Sequence, residues 1–196
     1  MSNEQLINKR IEQSIAAISS LRDCSSQIAT ITDVICQCLK AGGTLYTAGN
    51  GGSAAQALHL AEELIGRYRG DRPPQRAICL CADTPALTCI ANDYGFENIF
   101  SRQVKALATE NDIVLVLSTS GNSPNIVNAL QTARDNNATT IGLLGNDGGN
   151  CTELCDHSII IPGEDSAHTQ EAHQVVIHLI CEVVEQYCAQ ASTSPH

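Results

Sequence analysis

The stretch that decides the fold is Ile113-Val114-Leu115-Val116-Leu117-Ser118-Thr119-Ser120-Gly121-Asn122-Ser123-Pro124. Its apolar first part is typical of a strand buried on both faces, and the segment after it has the periodicity of an amphipathic helix. Hydroxyl side chains and unpaired backbone N–H groups would meet at the start of that helix, where the helix dipole also favours an anion. The pattern predicts a strand, a phosphate-binding loop and a helix, with Ser123 as the N-cap and Pro124 at the first helical position. An ordinary turn is the alternative, but it needs only one of these hydroxyls.

The rest of the chain repeats the alternation of strand and helix. Strand-like runs follow Gly42-Gly43, and the segments between them have helical patterns, including Ala54–Tyr68 and a long last helix from about Ala167 to Ala189. The runs are Thr44–Thr47, Ala77–Cys81, Asp112–Leu117, Thr139–Leu144 and His157–Ile161. Such alternation predicts an α/β fold, a five-stranded parallel sheet covered by helices on both faces in a flavodoxin-like three-layer sandwich.

Three regions are predicted along the chain. Residues 1–41 carry two runs of apolar residues at helical spacing and should form an N-terminal helical hairpin. Because the core has only 3% aromatic residues and the hairpin needs a surface to pack on, we expect it to lie at a subunit interface. Residues 42–190 form the α/β domain, and residues 191–196 are expected to be a disordered tail.

Composition excludes several classes of function. The chain has 196 residues, 43% of them hydrophobic, and a net charge of -10, which fits one domain and argues against binding a nucleic-acid backbone. The densest basic group could bind an anion locally or simply be solvated; it comprises Arg67, Arg69, Arg72 and Arg76. No signal peptide or membrane span is recognised, so a cytoplasmic location is expected, with no membrane partner.

The ten cysteines are interpreted as reduced thiols, because several lie inside apolar runs. Those expected to be buried are Cys79, Cys81, Cys89 and Cys181. Cys151 and Cys155 with His157 could be drawn as a zinc site, but three ligands without a fourth are weak support.

A second glycine-rich loop follows the first strand, at Ala48-Gly49-Asn50-Gly51-Gly52-Ser53. Its glycines let the backbone approach a ligand closely, and Ser53 could cap the next helix. Since the carboxyl ends of parallel strands share one edge of the sheet, both loops should lie where open α/β sheets bind ligands.

Two helices carry the candidate chemical groups. His59 and Glu63 lie four residues apart on one helix face and could hold a metal ion or a substrate, although such a pair is often only an exposed ion pair. The last helix offers Gln170, Glu171, His173 and His178. From chemistry alone, Glu63 and His178 are the predicted acid–base pair.

In these motifs the chain resembles the phosphoheptose isomerases of the sugar isomerase (SIS) fold. The resemblance covers the chain from about Gly42 to the end of the last helix, and its blocks keep their order and approximate spacing. The blocks are Gly49-Asn50-Gly51-Gly52-Ser53, His59-Leu60-Ala61-Glu62-Glu63-Leu64, Gly66-Arg67-Tyr68, Asn92-Asp93-Tyr94-Gly95, Ser118-Thr119-Ser120-Gly121-Asn122-Ser123, Asp147-Gly148-Gly149 and Gln170-Glu171 with His178.

The resemblance implies a function and a set of roles. It implies isomerisation of D-sedoheptulose 7-phosphate to D-glycero-D-manno-heptose 7-phosphate through an enediol, the first step toward the ADP-heptose of lipopolysaccharide cores. It also implies a homotetramer with shared active sites and one zinc ion per subunit. Glu63 would be the base and His178 the acid. The implied substrate contacts are Asn50, Gly51, Gly52, Ser53, Glu63, Arg67, Asn92, Asp93, Ser118, Thr119, Ser120, Ser123 and Gln170.

The implied zinc positions are His59, Glu63, Gln170 and His178. On one continuous helix Gln170 and His178 are separated by roughly 12 Å of rise and about 80° of rotation. One ion could take both through long converging side chains, through a helix that begins after Gln170, or through ligands from different subunits.

Two alternatives remain open from the sequence. Ala167-His168 stand where the family usually has Asp-Arg, so an isomerase of another sugar phosphate is possible. The other alternative is a non-catalytic SIS protein that binds a replication-initiator-type partner. Such proteins lack the helix His/Glu pair, which this chain has at His59 and Glu63.

Overall fold

The computed structural model describes residues 1–163 and 165–193. These residues form one sheet of five parallel strands, in the spatial order β2-β1-β3-β4-β5. The strands are β1 Leu45–Gly49, β2 Ala77–Cys79, β3 Ile113–Ser118, β4 Thr139–Gly145 and β5 His157–Ile161. The predicted parallel α/β sandwich is confirmed. Strand β2 ends two residues before the predicted Cys81, because the chain turns there and the Ala82 N–H bonds the Cys79 carbonyl at 3.1 Å.

Seven α-helices lie in the described residues, and they cover both faces of the sheet. They are α1 Asn3–Ser20, α2 Ser25–Lys40, α3 Gly52–Ile65, α4 Thr84–Tyr94, α5 Ser101–Leu107, α6 Pro124–Asp135 and α7 Ser166–Thr193. Helices α2, α3 and α7 pack on one face, and α5 and α6 pack on the other. None of the described helices combines the length and apolar character needed to cross a membrane.

Strand β3 is buried along its whole length, which explains its unbroken apolar sequence. Its side chains alternate between the two core layers: Ile113 and Leu115 join the α2/α3/α7 layer, while Val114 and Val116 join the α5/α6 layer. Full burial of one such side chain contributes about 1.5–3 kcal/mol. Strand β3 is therefore a rigid base for the loop that follows it.

Helix α3 differs from the prediction at both ends. It begins at Gly52 with Gly51 as the N-cap, in a backbone conformation with φ of 55° that a glycine adopts freely. The prediction that Ser53 caps this helix is wrong, because Ser53 lies inside the first turn and is buried. The helix stops at Ile65 before Gly66, and not at Tyr68.

The N-terminal segment forms two helices joined by a 3₁₀ turn at Leu21–Cys24. Both α1 and α2 contact α7. Helix α1 starts with a capping box between Ser2 and Gln5 but contains no buried residue. An apolar stripe stays 38–56% exposed along it, formed by Leu6, Ile7, Ile11, Ile15 and Ile18. Packing against another subunit remains a prediction.

The last helix is longer than expected. It starts at Ser166 and ends at Thr193, whereas the sequence indicated an end near Ala189. Residues 191–193 of the predicted disordered tail thus belong to α7, and residues 194–196 lie outside the described residues.

Candidate active site

The two glycine-rich loops lie side by side at a switch point of the sheet. Strands β1 and β3 are neighbours, and the helices that follow them, α3 and α6, pack on opposite faces. The two loops therefore leave the sheet toward opposite faces, and a crevice lies between them at the carboxyl ends of the strands. In open sheets with this strand order, such a crevice is where ligands bind.

The loop after β3 is held in shape by its own hydroxyls. The Ser118 Oγ accepts the Gly121 N–H at 3.1 Å, and the Ser120 Oγ accepts the Asn122 N–H at 3.2 Å. Gly121 has a φ of 63°, and a Cβ there would lie 2.0 Å from the Gly148 carbonyl oxygen. Only glycine fits at this position, and it sets the backbone conformation of the loop there.

The start of α6 fits an anion. Ser123 is the N-cap and Pro124 occupies the first turn, as predicted. The Ser123 hydroxyl makes no capping hydrogen bond, which leaves it available to a ligand. Thr119 lies across from α7, because its Oγ1 accepts a hydrogen bond from the Ser166 hydroxyl at 3.2 Å. The Ser118 and Ser120 hydroxyls therefore shape the loop, whereas the Ser123 hydroxyl is available to a ligand.

The loop after β1 is tied to α6 by a reciprocal amide pair. Asn50 donates to Asn125 at 2.9 Å, and Asn125 donates back at 2.8 Å. Asn125 is only 1% exposed. Sequence reasoning missed it, although its place at the second position of the helix after the phosphate loop was a usable signal. The pair fixes the spacing between the two loops.

Gln170 approaches this loop from α7. Its amide lies against Gly52, where an added Cβ would be 2.7 Å from the Gln170 Nε2. Helix α7 begins before Gln170, so a helix that starts after it is excluded as a way to bring Gln170 and His178 to one ion. Gly52 lies seven residues before His59, or about 10 Å along α3. Within one chain, Gln170 therefore lies beside the loop after β1 and not beside His59.

Farther along α3, a cluster of polar groups lies between α3 and α7. The His59 Nε2 is 3.1 Å from the Glu63 Oε1, and the Glu63 side chain is 17% exposed. The ring of His178 meets that of His59 edge-on, with 5.5 Å between centroids, and Tyr68 lies 5.7 Å from His178 on the other side. The predicted acid–base residues therefore share one site.

Gln174 stands at the centre of this cluster, although the sequence did not single it out. Its Nε2 lies 3.0 Å from the His59 Nδ1 and 3.0 Å from the His178 Nε2. Its position could have been found, because Gln170, Gln174 and His178 follow one another at intervals of four residues on one helix face.

The donor set fits a zinc ion. Among the described residues, His59, Glu62 and Glu63 form a group whose ligand atoms all lie within 4.8 Å of one another. Imidazole nitrogens and carboxylate oxygens are ligands that zinc takes readily. No comparable group contains Cys151, Cys155 and His157 in that part of the chain.

Other predicted contacts are spread over the surface. Asn92 and Asp93 lie exposed on the last turns of α4 and hydrogen-bond each other at 2.7 Å. Arg67 is exposed just after α3. Arg72, which the sequence assigned to a basic group that binds an anion or is solvated, donates to the carbonyls of Leu64 and Glu63 and so holds the end of α3.

The departure at Ala167-His168 has a structural explanation. His168 is buried between α7 and α1, with its Nδ1 3.1 Å from the Glu171 carboxylate and 3.3 Å from the Ser14 hydroxyl. Arg10 of α1 pairs with Asp165 beside it. This position therefore serves to attach α1 to the fold.

All but one of the ten cysteines are at least partly buried, and burial raises the pKa of several of their thiols. Burial raises the pKa of Cys181 to about 12, with a smaller effect from the Glu63 carboxylate. Cys79 and Cys181 are buried as predicted and Cys81 is half-buried. The expectation for Cys89 is wrong, because it lies on the exposed face of α4.

Comparison with known proteins agrees with this geometry. A family model described as "SIS domain" matches residues 10–145. The chain is 43% identical over 181 residues to phosphoheptose isomerase 1 of Campylobacter jejuni, which covers 92% of this chain and 97% of that protein. It is 45% identical over 184 residues to the phosphoheptose isomerase of Trichlorobacter lovleyi, with 93% and 94% covered. The structure of a phosphoheptose isomerase from Francisella tularensis superposes with a TM-score of 0.91 at 35% identity, covering 95% of this chain and 100% of that chain.

Fold, loops and family model together define an SIS-domain protein with a sugar-phosphate site. The similarity over nearly the full length of both curated relatives is more specific. The chain belongs to the phosphoheptose isomerase family.

Proposed function

We propose that this chain is an aldose–ketose isomerase that converts D-sedoheptulose 7-phosphate to D-glycero-D-manno-heptose 7-phosphate, the first step toward ADP-heptose. The observation that carries the proposal is the combination of a hydroxyl-lined loop at the switch point with a His/Glu cluster on the adjoining helix. The loop suits the phosphate, and the cluster suits proton transfer. A non-catalytic protein of this fold would not need the His/Glu cluster.

The reaction moves a proton between two adjacent carbons, so it needs a base at carbon and an acid at oxygen. Glu63 removes the proton next to the carbonyl, and His178 protonates the carbonyl oxygen as the enediol forms. The two then exchange roles to deliver the proton to the neighbouring carbon. The His59 ring holds the Glu63 carboxylate in place at 3.1 Å.

We propose that His59, Glu63 and His178 hold zinc, with Gln170 contributed from elsewhere in the assembly. Bound there, the ion would polarise the substrate carbonyl and orient its hydroxyls. Glu62 belongs to the same ligand group and is a further candidate for this set.

The site is proposed to be shared between subunits of a homotetramer. Ser53 marks the loop end of α3, and Glu63 lies ten residues along the helix, which is about 15 Å at 1.5 Å per residue. A substrate bound at the loop after β1, beside Ser53, would have to span that separation to reach Glu63 of the same chain. If Glu63 comes from a second subunit, the substrate does not have to span this distance. The exposed apolar stripe of α1 offers a surface on which another subunit can pack.

A cytoplasmic location is also proposed. Its support is the set of thiols that form no disulfide, among them the buried Cys36, Cys79, Cys151 and Cys181, because reduced thiols suit a reducing compartment.

The direct test is to incubate the protein with sedoheptulose 7-phosphate, with and without zinc, and to follow aldose formation by NMR. Turnover by the wild type and its loss in Glu63→Gln is the expected result. A folded, assembled protein that turns over a different sugar phosphate, and not this one, would contradict the substrate assignment.

A further inference from the structure

The cluster between α3 and α7 contains a group that the roles above do not use. The Gln174 amide nitrogen lies 3.0 Å from a ring nitrogen of each of two histidines, His59 and His178. A primary amide carries two N–H donors, so it can donate to both rings at once. Among the described residues, no other side chain hydrogen-bonds both rings.

This arrangement sets the tautomer of each ring. A ring nitrogen that accepts from Gln174 carries no proton, so the proton of the neutral ring sits on the other nitrogen. For His59 that nitrogen is Nε2, which donates to Glu63 at 3.1 Å. The orientation of the amide is supported from its other end, because the Gln174 Oε1 accepts from the Gln56 Nε2 at 3.4 Å. His178 likewise carries its proton on Nδ1.

Metal binding at the Nε2 of His59 would change this hydrogen-bond pattern. The Nε2 of His59 faces Glu63, so it is the nitrogen that belongs to the ligand group. A cation there takes the lone pair of Nε2, and the proton of the neutral ring moves to Nδ1, which faces Gln174. A metal-binding histidine ordinarily donates its other N–H to an acceptor that fixes the ring. Gln174 can provide one by turning its amide so that Oε1 takes the place of Nε2. The turn gives up the 3.4 Å bond from Gln56 and the donation to the His178 Nε2, and that ring nitrogen must then carry its own proton and donate to the same amide oxygen.

We infer that Gln174 is the positioning residue of this metal site: it aligns the His59 and His178 rings, and it accepts the Nδ1 proton of His59 when a cation occupies Nε2. The inference rests on the metal site proposed above and extends it to a residue one helical turn from either implied α7 ligand. In this role Gln174 acts through the two rings and is assigned no contact with the substrate.

The test compares two substitutions that differ in one property. Gln174→Met keeps the length of the side chain and removes its hydrogen bonds, whereas Gln174→Glu keeps an acceptor. Gln186→Met, on the exposed side of the same helix, is the matched control. Zinc affinity is measured on metal-free protein by competition with a fluorescent chelator, with circular dichroism as the check on folding.

We expect Gln174→Met to weaken zinc binding by about 10–100-fold, while Gln174→Glu binds at least as tightly as the wild type and Gln186→Met is unchanged. Zinc binding by Gln174→Met within about twofold of the wild type would overturn the inference, as would an equal loss in the Glu variant.

A second readout needs no metal. Imidazole ¹⁵N spectra of the metal-free wild type should show His59 protonated on Nε2 and His178 on Nδ1, and Gln174→Met should lose this preference. Identical spectra for the two proteins would overturn the inference. A wild type that takes up no zinc would instead refute the proposed metal site, and the spectra would still decide whether Gln174 sets the two rings.

Discussion

At the scale of single residues, the candidate site contains residues whose neighbours restrict their conformation. Glu63 is held from one side by His59, and its own carbonyl is held by Arg72 at 2.6 Å. At Gly121 the nearby carbonyl of Gly148 leaves no room for a side chain. Small changes at such positions should have large effects on activity.

Glu63→Gln should lower kcat by about 10²–10⁴, because the amide cannot accept the carbon-bound proton. KM should stay close to the wild-type value, since the phosphate contacts are untouched. Steady-state kinetics with sedoheptulose 7-phosphate measures both constants, and the exposed Glu110→Gln serves as control. Activity within about tenfold of the wild type would rule out the role as base.

His173 should make stability depend on pH. Burial lowers its pKa to about 4 from an ordinary 6.5, outweighing a hydrogen bond to the Leu144 carbonyl that acts the other way. Between those values the unfolded chain binds a proton that the folded chain does not, so the free energy of unfolding decreases as the pH falls through this window. The slope from this group is at most about 1.4 kcal/mol per pH unit.

Urea unfolding near pH 7 and near pH 5 measures this effect, with His173→Gln as the comparison. The glutamine keeps a polar group near Leu144 but cannot titrate, so the variant should lose less stability than the wild type over the same interval. Equal losses in the two proteins would assign the pH dependence to other groups.

At the scale of elements, the loop after β3 and the first turn of α6 are proposed to bind the phosphate together. Ser120→Ala combined with Ser123→Ala should raise KM more than it lowers kcat, because the phosphate is bound in the ground state and in the transition state alike. Ser26→Ala, on the exposed surface of α2, is the control. An unchanged KM would argue against phosphate binding at this loop.

The elements also show what the sequence can and cannot predict. The strands were found because an apolar run such as β3 has one stable location, the middle of a covered sheet. The start of α3 was misplaced because Gly51 and Ser53 are both acceptable N-caps, and only the backbone φ distinguishes them. Gln174 and Asn125 were missed because amides are common on helices, and their partners lie 115 and 75 residues away in the chain.

At the scale of the whole molecule, α1 is the element that the single chain does not explain. Its apolar stripe is exposed, although the helix is attached through Arg10 and Asp165 to the start of α7. A surface of this kind is typical of a subunit interface.

Ile7→Lys combined with Ile11→Lys should dissociate the proposed tetramer without unfolding the subunit, because both side chains are about half exposed. The variant should also lose most of its activity. Light scattering during gel filtration gives the mass, and Asn8→Lys adds charge beside the stripe as a control. A wild-type monomer would refute the shared site.

The length of α3 has a genetic consequence. If the proposed phosphate loop and Glu63 of one active site belong to different chains, two alleles that are each defective can restore one another. Mixed oligomers of the Ser120→Ala/Ser123→Ala chain and the Glu63→Gln chain would contain some sites with neither defect. At low substrate concentration, co-expression of the two defective proteins should therefore give more turnover than the sum of the two expressed separately, while a site confined to one chain would give no such gain.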